Sequence, residues 1–585
     1  MKKINLRNFK KRYSKAMVKS IVLGFFLMFG FSNTSYAQTT VTGTVTNDSN
    51  EPVQGVAVYV QNSNKGSVTN AKGLFSLSAS SSDILVFKYL GYKDVEMIVG
   101  NQTTFNVKLS EDSEALDGVV AIGYCTQKKS HLTGSISKVE NKTLDQIPIG
   151  RVDDALVGQI TGVNIQMTNP AAGEAPSIKI RGQGSISFDA SPLIVIDGIA
   201  VGSDPDYLSS IDMNDVASIE VLKDAASSSI YGSRGANGII MITTKQGVEG
   251  PTQFSYNSYV GSKSVKSRDY IGNLDDWLAK TEGESGVAEK REYIQKFGEG
   301  TNWEEVMFDG GLITSHSLSA RGGTKNTKFM TSLSYLNDQG VLLTDNYEKL
   351  NFRLNINTKV SDRVSFGVVL NPSRTEQRRF PIGVHDALRQ NPWLPTYLTA
   401  ENIQYVNRTR ENGRWADAKV GDYAMERMFD DFDLTEGAPD PANAGTDISG
   451  TSNQSALAKV LERDRRKYQT KIFTNAFVNV NITDDLFFKQ SIGGDIRFTK
   501  YEDYNGVLSS RNGAAGSSAR LRNQENFHTI SESTFNYSKT LNSKHDVDAV
   551  GGFAYESWNR TDAQITASGF TNDLIKTIPA ANVLG

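Results

Sequence analysis

The chain has 585 residues, 22% of them charged, one cysteine and a formal net charge of −3. The lone Cys125 excludes an internal disulfide, and the five histidines (His131, His316, His385, His528, His545) lack the clustering that a metal site needs. An acidic balance offers no electrostatic footprint for nucleic acid.

Residues 1–37 read as an export signal. Lys2, Lys3, Arg7, Lys10, Lys11, Arg12, Lys15 and Lys19 make a basic start without acids, and Ile21–Phe31 is an 11-residue apolar run. Ser35-Tyr36-Ala37 offers the small residues that a signal peptidase reads. The apolar run is too short for a spanning helix, which needs about 20 residues, and no other stretch is longer. Gln38 follows the cut, which argues against a lipid anchor. Removing the eight basic residues with the signal takes the formal charge from −3 to −11.

Residues 38–110 predict a small all-β sandwich. Short strands begin at Val41, Val56, Leu74, Ile84, Val95 and Thr104, separated by turn signals such as Asn47–Asn50 and Asn70–Gly73. Residues 111–129 are a linker that starts acidic. Within it, Leu116-Asp117-Gly118-Val119-Val120-Ala121-Ile122-Gly123-Tyr124 is apolar and β-branched. A strand with no partner of its own invites another chain to pair with it, so this segment reads as a docking strand. The competing reading is a buried strand of a neighbouring domain.

Residues 130–248 read as a mixed α+β domain. Val152–Val157 predicts a helix, and Ser177–Gly182, Leu193–Asp197, Asp215–Leu222 and Gly238–Thr244 predict strands. Ala225–Tyr231 predicts a helical turn. The glycine-rich stretches Arg181–Ser185 and Gly232–Gly238 match neither the P-loop nor the dinucleotide fingerprint and read as turns.

Residues 249–585 change character to long alternating strands. In Asn351–Val360 the set Phe352, Leu354, Ile356, Thr358 and Val360 shares one face, and Asn351, Arg353, Asn355, Asn357 and Lys359 the other. Nine such strands are predicted, near 252–261, 313–321, 327–336, 348–360, 364–372, 469–482, 486–497, 525–538 and 545–555. Short links (322–326, 361–363, 483–485, 539–544) alternate with longer ones, the longest at 373–468. Long loops at one end and tight turns at the other are the pattern of a transmembrane β-barrel, with apolar faces toward lipid and polar faces toward the lumen. An odd count, with no closing strand evident in Asn572–Gly585, leads us to expect a partial, C-terminally truncated barrel.

The segment 116–247 carries a specific resemblance. Leu116–Tyr124 resembles the TonB box, and Ile180–Ser185, Pro192–Gly198, Ser218–Ala225 and Ile230–Gly238, running on to Gly247, resemble plug-domain signatures in order. Residues 41–109 resemble a carboxypeptidase-regulatory-like module. Together these are similar to SusC/RagA-type TonB-linked outer-membrane proteins. Gly118 stands where that family's box has an acid, and Cys125 where it has glycine.

The resemblance implies an importer in the Gram-negative outer membrane, Bacteroidetes-like. Its barrel would be plugged by 130–248, and TonB would pair with Leu116–Tyr124 and pull. Implied partners are TonB, outer-membrane lipid, a SusD-like surface lipoprotein and a glycan or peptide cargo; no cofactor and no enzymatic activity are expected. Arg181, Glu220 and Arg234 are candidates for ionic contacts between plug and barrel wall, with internal plug pairing as the alternative. The acidic stretch Asp430, Asp431, Asp433, Glu436 and Asp440 is read as a solvated loop ahead of a Ca²⁺ site. Trp393, Tyr397, Tyr405 and Trp415 are candidates to stack on sugar rings, with aromatic anchors of the loop as the equal alternative. The alternative functions are a truncated or non-transporting receptor, an iron-chelate importer, and a secreted hydrolase, for which no catalytic constellation is found.

Overall fold

The computed structural model describes residues 39–584 apart from short internal stretches, the longest being 110–118, 129–135, 141–150, 267–273, 281–290 and 440–454. The export signal therefore lies outside the described residues. The chain forms two compact units, one of residues 1–120 with 128–131 and one of residues 121–127 with 132–585.

The first unit is a two-sheet β-fold of seven strands: β1 (Thr39–Thr46), β2 (Ala57–Val60), β3 (Gly66–Val68), β4 (Leu74–Ala79), β5 (Ile84–Lys88), β6 (Val95–Ile98) and β7 (Thr104–Lys108). The sheets run β4-β1-β7 and β3-β2-β5-β6. Alternation drives the packing: in β4, Phe75, Leu77 and Ala79 are buried while Leu74, Ser76 and Ser78 face out. Phe75 and Phe87 meet edge-to-face at 5.3 Å inside a core that includes Val41, Val58, Leu85 and Phe105. The buried Thr69 hydroxyl donates to Val53 O at 2.7 Å and accepts from Val56 N at 2.9 Å, so its burial leaves no unmet polar group. In the linker, β8 (Val119–Ile122) pairs with β9 (Cys125–Lys128) as a separate two-stranded sheet.

The second unit contains a plug and a wall. The plug holds β10 (Ile136–Glu140), β11 (Val163–Gln166), β12 (Ser177–Ile180), β13 (Leu193–Ile196), β14 (Ile199–Gly202), β15 (Val216–Leu222) and β16 (Ile239–Thr244). Five of them form a sheet in the order β10-β15-β16-β13-β14, with β13 and β16 parallel; β11 and β12 pair apart. The central strands read Leu-Ile-Val-Ile and Ile-Ile-Met-Ile without alternation because both faces are covered. Ile194, Ile219, Ile240 and Ile242 pack on one side, and that cluster continues into Val369, Phe473 and Ile530 of the wall.

The wall is one antiparallel sheet in chain order: β17 (Gly250–Lys263), β18 (Gly311–Gly323), β19 (Thr327–Gln339), β20 (Asn346–Lys359), β21 (Val364–Arg378), then β24 (Arg463–Asn481), β25 (Leu486–Asn505), β26 (Ser518–Leu541), β27 (His545–Ser568) and the two-residue β28 (Val583–Leu584). Between them, β22 (Phe432–Asp433) and β23 (Ala438–Pro439) make a small ladder in a long loop. The nine long strands fall where the alternation placed them, most of them longer at one or both ends. The burial is inverted relative to a water-soluble sheet. On β20 the polar Lys349, Asn351, Arg353 and Asn355 are buried, while Leu350 and Phe352 are exposed. The same inversion puts Leu333, Phe366, Ile492, Phe535 and Phe553 on the outside. Such a sheet meets hydrocarbon on one face and a polar filling on the other.

The long loops do not hang in solvent. Residues from 274–308 and 380–461 share a core of their own, in which Trp303, Leu394 and Phe429 are buried and Phe297 stacks on Phe429 at 4.5 Å. Trp393 (1% exposed) and Trp415 (5%) belong to this core. Of the two readings of these residues, burial selects the loop anchor over the sugar platform, since a ring with no free face cannot receive a sugar. Tyr397 stacks on Tyr423 at 5.3 Å, and Tyr405 meets Phe297. Of the acidic stretch, Asp430 is fully buried rather than solvated; Asp431, Glu436 and Asp440 lie outside the described residues.

Candidate functional site

The wall's inner face is polar because the plug presents charge and backbone to it. Strand β13 ends in the turn Asp197-Gly198, where Asp197 adopts φ +47°. Its carboxylate accepts from Thr244 N and Oγ1, both at 2.9 Å. The fully buried Arg353 of β20 donates Nη2 to Asp197 Oδ2 at 2.6 Å and also bonds Thr244 Oγ1. A buried charge is tolerated only when paired in this way.

The strongest clamp holds the short 3₁₀ helix Pro205–Ser210. Asp204 caps it by accepting from Asp206 N at 3.0 Å. Arg497 of β25 donates to Asp204 at 2.6 Å, Lys467 of β24 donates to Asp206 at 2.6 Å, and Lys471 bonds the Asp206 carbonyl. At the helix's other end, where carbonyls lack intrahelical partners, Asn371 donates to Ser210 O at 3.0 Å and Lys349 to Ile211 O at 3.2 Å. The Arg497 guanidinium lies 4.4 Å from the Tyr207 ring centroid. Burial alone would push the Asp206 carboxyl up, but Lys467 and Lys471 outweigh it and hold the group well below the usual carboxylate range.

Two further contacts lie on either side. Ser332 of β19 donates to the buried Asp215 at 2.8 Å; burial, with Asp212 close by, pushes this carboxyl up to about 6. The plug segment at Ala172 donates its amide to Asp345 at 2.6 Å and receives Gln377 on its carbonyl at 2.8 Å. Gly173 has φ +75°, and a Cβ there would stand 2.1 Å from the Tyr347 ring, so only glycine fits this approach. Arg151 and Asp153 form a buried pair at 2.8 Å, and Arg151 also donates to Gly173 O at 3.0 Å.

Of the three residues singled out from sequence, Arg234 reaches the wall: its Nη1 donates to both carboxylate oxygens of Glu556 on β27, at 2.6 and 2.8 Å. Glu556 also bonds His528 Nε2 at 2.9 Å and the Trp558 indole N–H at 3.0 Å. Glu220 is buried inside the plug sheet, opposite Lys138 in the register of β10 and β15. Arg181 sits at φ +58° after β12, its amide donating to Gly162 O. Sequence reasoning missed Asp197, Asp204, Asp206, Asp215 and Arg353. The signal available was the row of buried-face polar residues on β20 and β24, which had to be matched by plug carboxylates. Of the docking strand, Val119–Ile122 are extended and paired with β9, while Leu116, Asp117, Gly118, Gly123 and Tyr124 lie outside the described residues.

Comparison with known proteins fits this geometry. Residues 128–239 match the TonB-dependent Receptor Plug Domain family, and 41–121 match the CarboxypepD_reg-like domain family. TonB-dependent receptor P26 of Formosa agariphila is 30% identical over 562 residues, covering 93% of this chain and 52% of the relative. TonB-dependent receptor SusC of Bacteroides thetaiotaomicron is 32% identical over 392 residues, covering 64% of this chain and 38% of that protein. Together these matches support a SusC/RagA-type TonB-dependent receptor. It spans about half the length of P26. Among solved structures, the RagAB peptide importer in its open-open state superposes with a TM-score of 0.62 over 80% of this chain and 52% of that chain, at 21% identity, a likeness of fold. Receptors of this type are not enzymes. The plug sheet, the wall with its inverted burial and the small N-terminal β-module are the parts of that architecture present here.

Proposed function

We propose that the chain acts in TonB-driven import of a nutrient across the outer membrane, with residues 130–248 as the movable stopper and Leu116–Tyr124 as the strand that TonB grasps. The observation that carries this reading is the plug–wall interface. A plug bonded to the wall through Asp197, Asp204, Asp206 and Asp215 blocks the lumen yet rests on polar contacts that water can replace. The apolar contacts across the interface include those of Val369, Phe473 and Ile530 with the plug's core. No nucleotide is available outside the inner membrane, so the work of parting these contacts has to arrive mechanically through the chain. An extended segment such as Val119–Ile122 offers a strand for β-augmentation, although β9 pairs with it in the resting chain.

In this reading Arg234 and Glu556 add an ionic contact that holds the plug's glycine-rich segment to β27. The cargo is a glycan or a peptide. The RagAB neighbour is a peptide importer by name, and a surface lipoprotein of the SusD kind would close the lumen from outside. Deleting residues 116–124 tests the proposal. Uptake of the cargo by cells should cease while binding at the cell surface persists; uptake that continues without the segment contradicts it.

A further inference from the structure

The inner face of β24–β27 carries more positive charge than its carboxylates balance. The register stacks it in rows. Arg465, Asp503 and Arg520 stand side by side; the next row is Lys467, Tyr501 and Arg522; two rows deeper come Arg497, Asn526 and Arg560. Asp503 receives Arg520 Nε at 2.9 Å and has Arg379 and Arg465 each at 3.8 Å. Asp562 receives Arg522 Nε at 2.9 Å and has Arg560 at 3.7 Å. Five guanidinium groups thus share two carboxylates. The plug's Asp204 and Asp206 do not relieve this excess, being taken by Arg497 and Lys467.

Three of the five stand too far from these acids for a hydrogen bond, and the buried Nε atoms of Arg379 and Arg465 have no hydrogen-bond partner. Arg379 and Arg522 flank the Tyr501 ring at 5.7 and 5.9 Å, which fixes the directions of their forks. The rows border a cavity of ≈ 560 Å³ between plug and wall, into which Arg560 and Tyr501 reach; its other charged lining is Arg497 with the plug's Asp204 and Asp206, which Arg497 and Lys467 already pair. The whole chain is slightly acidic, at −3, so this concentration of arginine is local. Like charges held this close repel one another, a cost that a bound anion removes, and a local excess of positive charge on a concave wall draws anions into the space beside it.

We propose that this arginine wall is a binding site for the carboxylate or sulfate groups of an anionic solute entering the lumen. The inference rests on the importer reading and narrows its cargo to solutes that carry closely spaced negative groups. Guanidinium forks suit planar or tetrahedral oxyanions held by paired N–H donors, which lysine does not provide.

The test is titration calorimetry on the full chain in detergent with four probes: trigalacturonate, a sulfated tetrasaccharide, tetraglutamate and neutral maltohexaose. At least one anionic probe should bind at 50 mM NaCl and lose tenfold or more in affinity at 500 mM; the neutral probe should not bind. Which anion binds tells sugar carboxylate from sulfate ester from peptide. The pair Arg379→Gln and Arg560→Gln, chosen because neither hydrogen-bonds these carboxylates, should weaken the anion about tenfold or more, and Arg560→Lys should restore only part of that. Failure of all three anions to bind, equal binding of maltohexaose, or an unchanged affinity in the double variant overturns the proposal. The titration involves neither TonB nor transport. Binding of anions by a chain that imports nothing contradicts the importer reading alone, whereas strand-dependent import with no preference for charge contradicts only the arginine site.

Discussion

Arg353 and Asp197, 156 residues apart in sequence, meet at 2.6 Å with the guanidinium wholly withdrawn from solvent. One belongs to the wall and the other to the plug, and Thr244 of β16 completes the contact. Replacing Arg353 by Met leaves the mostly buried Asp197 carboxylate without its cation, with only the Thr244 amide and hydroxyl to hold it. Breaking one side of a buried pair costs about 3–5 kcal/mol. The plug of Arg353→Met should therefore become protease-sensitive at lower urea than in the parent chain, while the wall's heat-resistant mobility on gels is unchanged. The double replacement Arg353→Met with Asp197→Asn should recover most of the loss.

The two faces of β20 predict opposite responses to the same substitution. Phe352 faces outward at mid-strand and Asn357 inward. A lysine on the hydrocarbon face costs about 2–4 kcal/mol near the midplane. Phe352→Lys should reduce the yield of chain folded into lipid vesicles, and Asn357→Lys should leave it within error of the parent.

Asp215 makes plug docking depend on pH. Its carboxyl is pushed up to about 6 by burial first and by Asp212 second, above the ordinary value near 3.9. A raised acid favours the folded state when protonated. The cost of ionising it in place is absent below about pH 4 and fully present above about pH 6, and a shift of this size corresponds to about 3 kcal/mol. Stability of the docked plug should fall as pH rises from 4 to 6, and Asp215→Asn should flatten that part of the profile. Urea titrations at pH 4.5, 5.5 and 6.5 measure it.

Trp393 anchors the loop core and is 1% exposed. Trp393→Ala should cost about 3–5 kcal/mol of local stability and open residues 264–310 and 379–462 to proteolysis. A residue whose role was to touch cargo would weaken binding and leave the protease pattern as it was.

The wall and the β-module were legible because period-2 alternation survives in both, and Phe352 and Arg353 could be assigned to opposite faces from order alone. The plug's outline was legible through β13, β15 and β16, whose continuous apolar runs mark strands buried on both faces. Its helices were legible only in part: Val152–Val157 shortens to a 3₁₀ turn at Asp154–Leu156, and of the turn expected at Ala225–Tyr231 residues 225–227 lie outside the described residues while Ser229–Gly235 is a 3₁₀ helix. Strands β10, β11 and β14 escaped notice because four or five residues carry too little pattern. The carboxylates that bond the wall were illegible because each looks like an ordinary turn or cap residue, as Asp197 and Asp204 are. Their partners lie 100 to 300 residues away, and only the pairing of the wall strands from β20 to β25 brings Arg353, Lys467 and Arg497 to them. Trp393 and Trp415 stayed ambiguous for a related reason: only the folded loop shows that it is long enough to bury its own aromatics.

The central claim is that the plug must part from the wall for cargo to pass. With Cys125 replaced by Ser, Asp215→Cys and Ser332→Cys place two thiols where the parent side chains meet at 2.8 Å, to be joined by oxidation or a short bis-thiol linker. Uptake by cells carrying the joined protein should stop, surface binding should remain, and cleavage of the link should restore uptake. Undiminished uptake with the link intact would contradict the account.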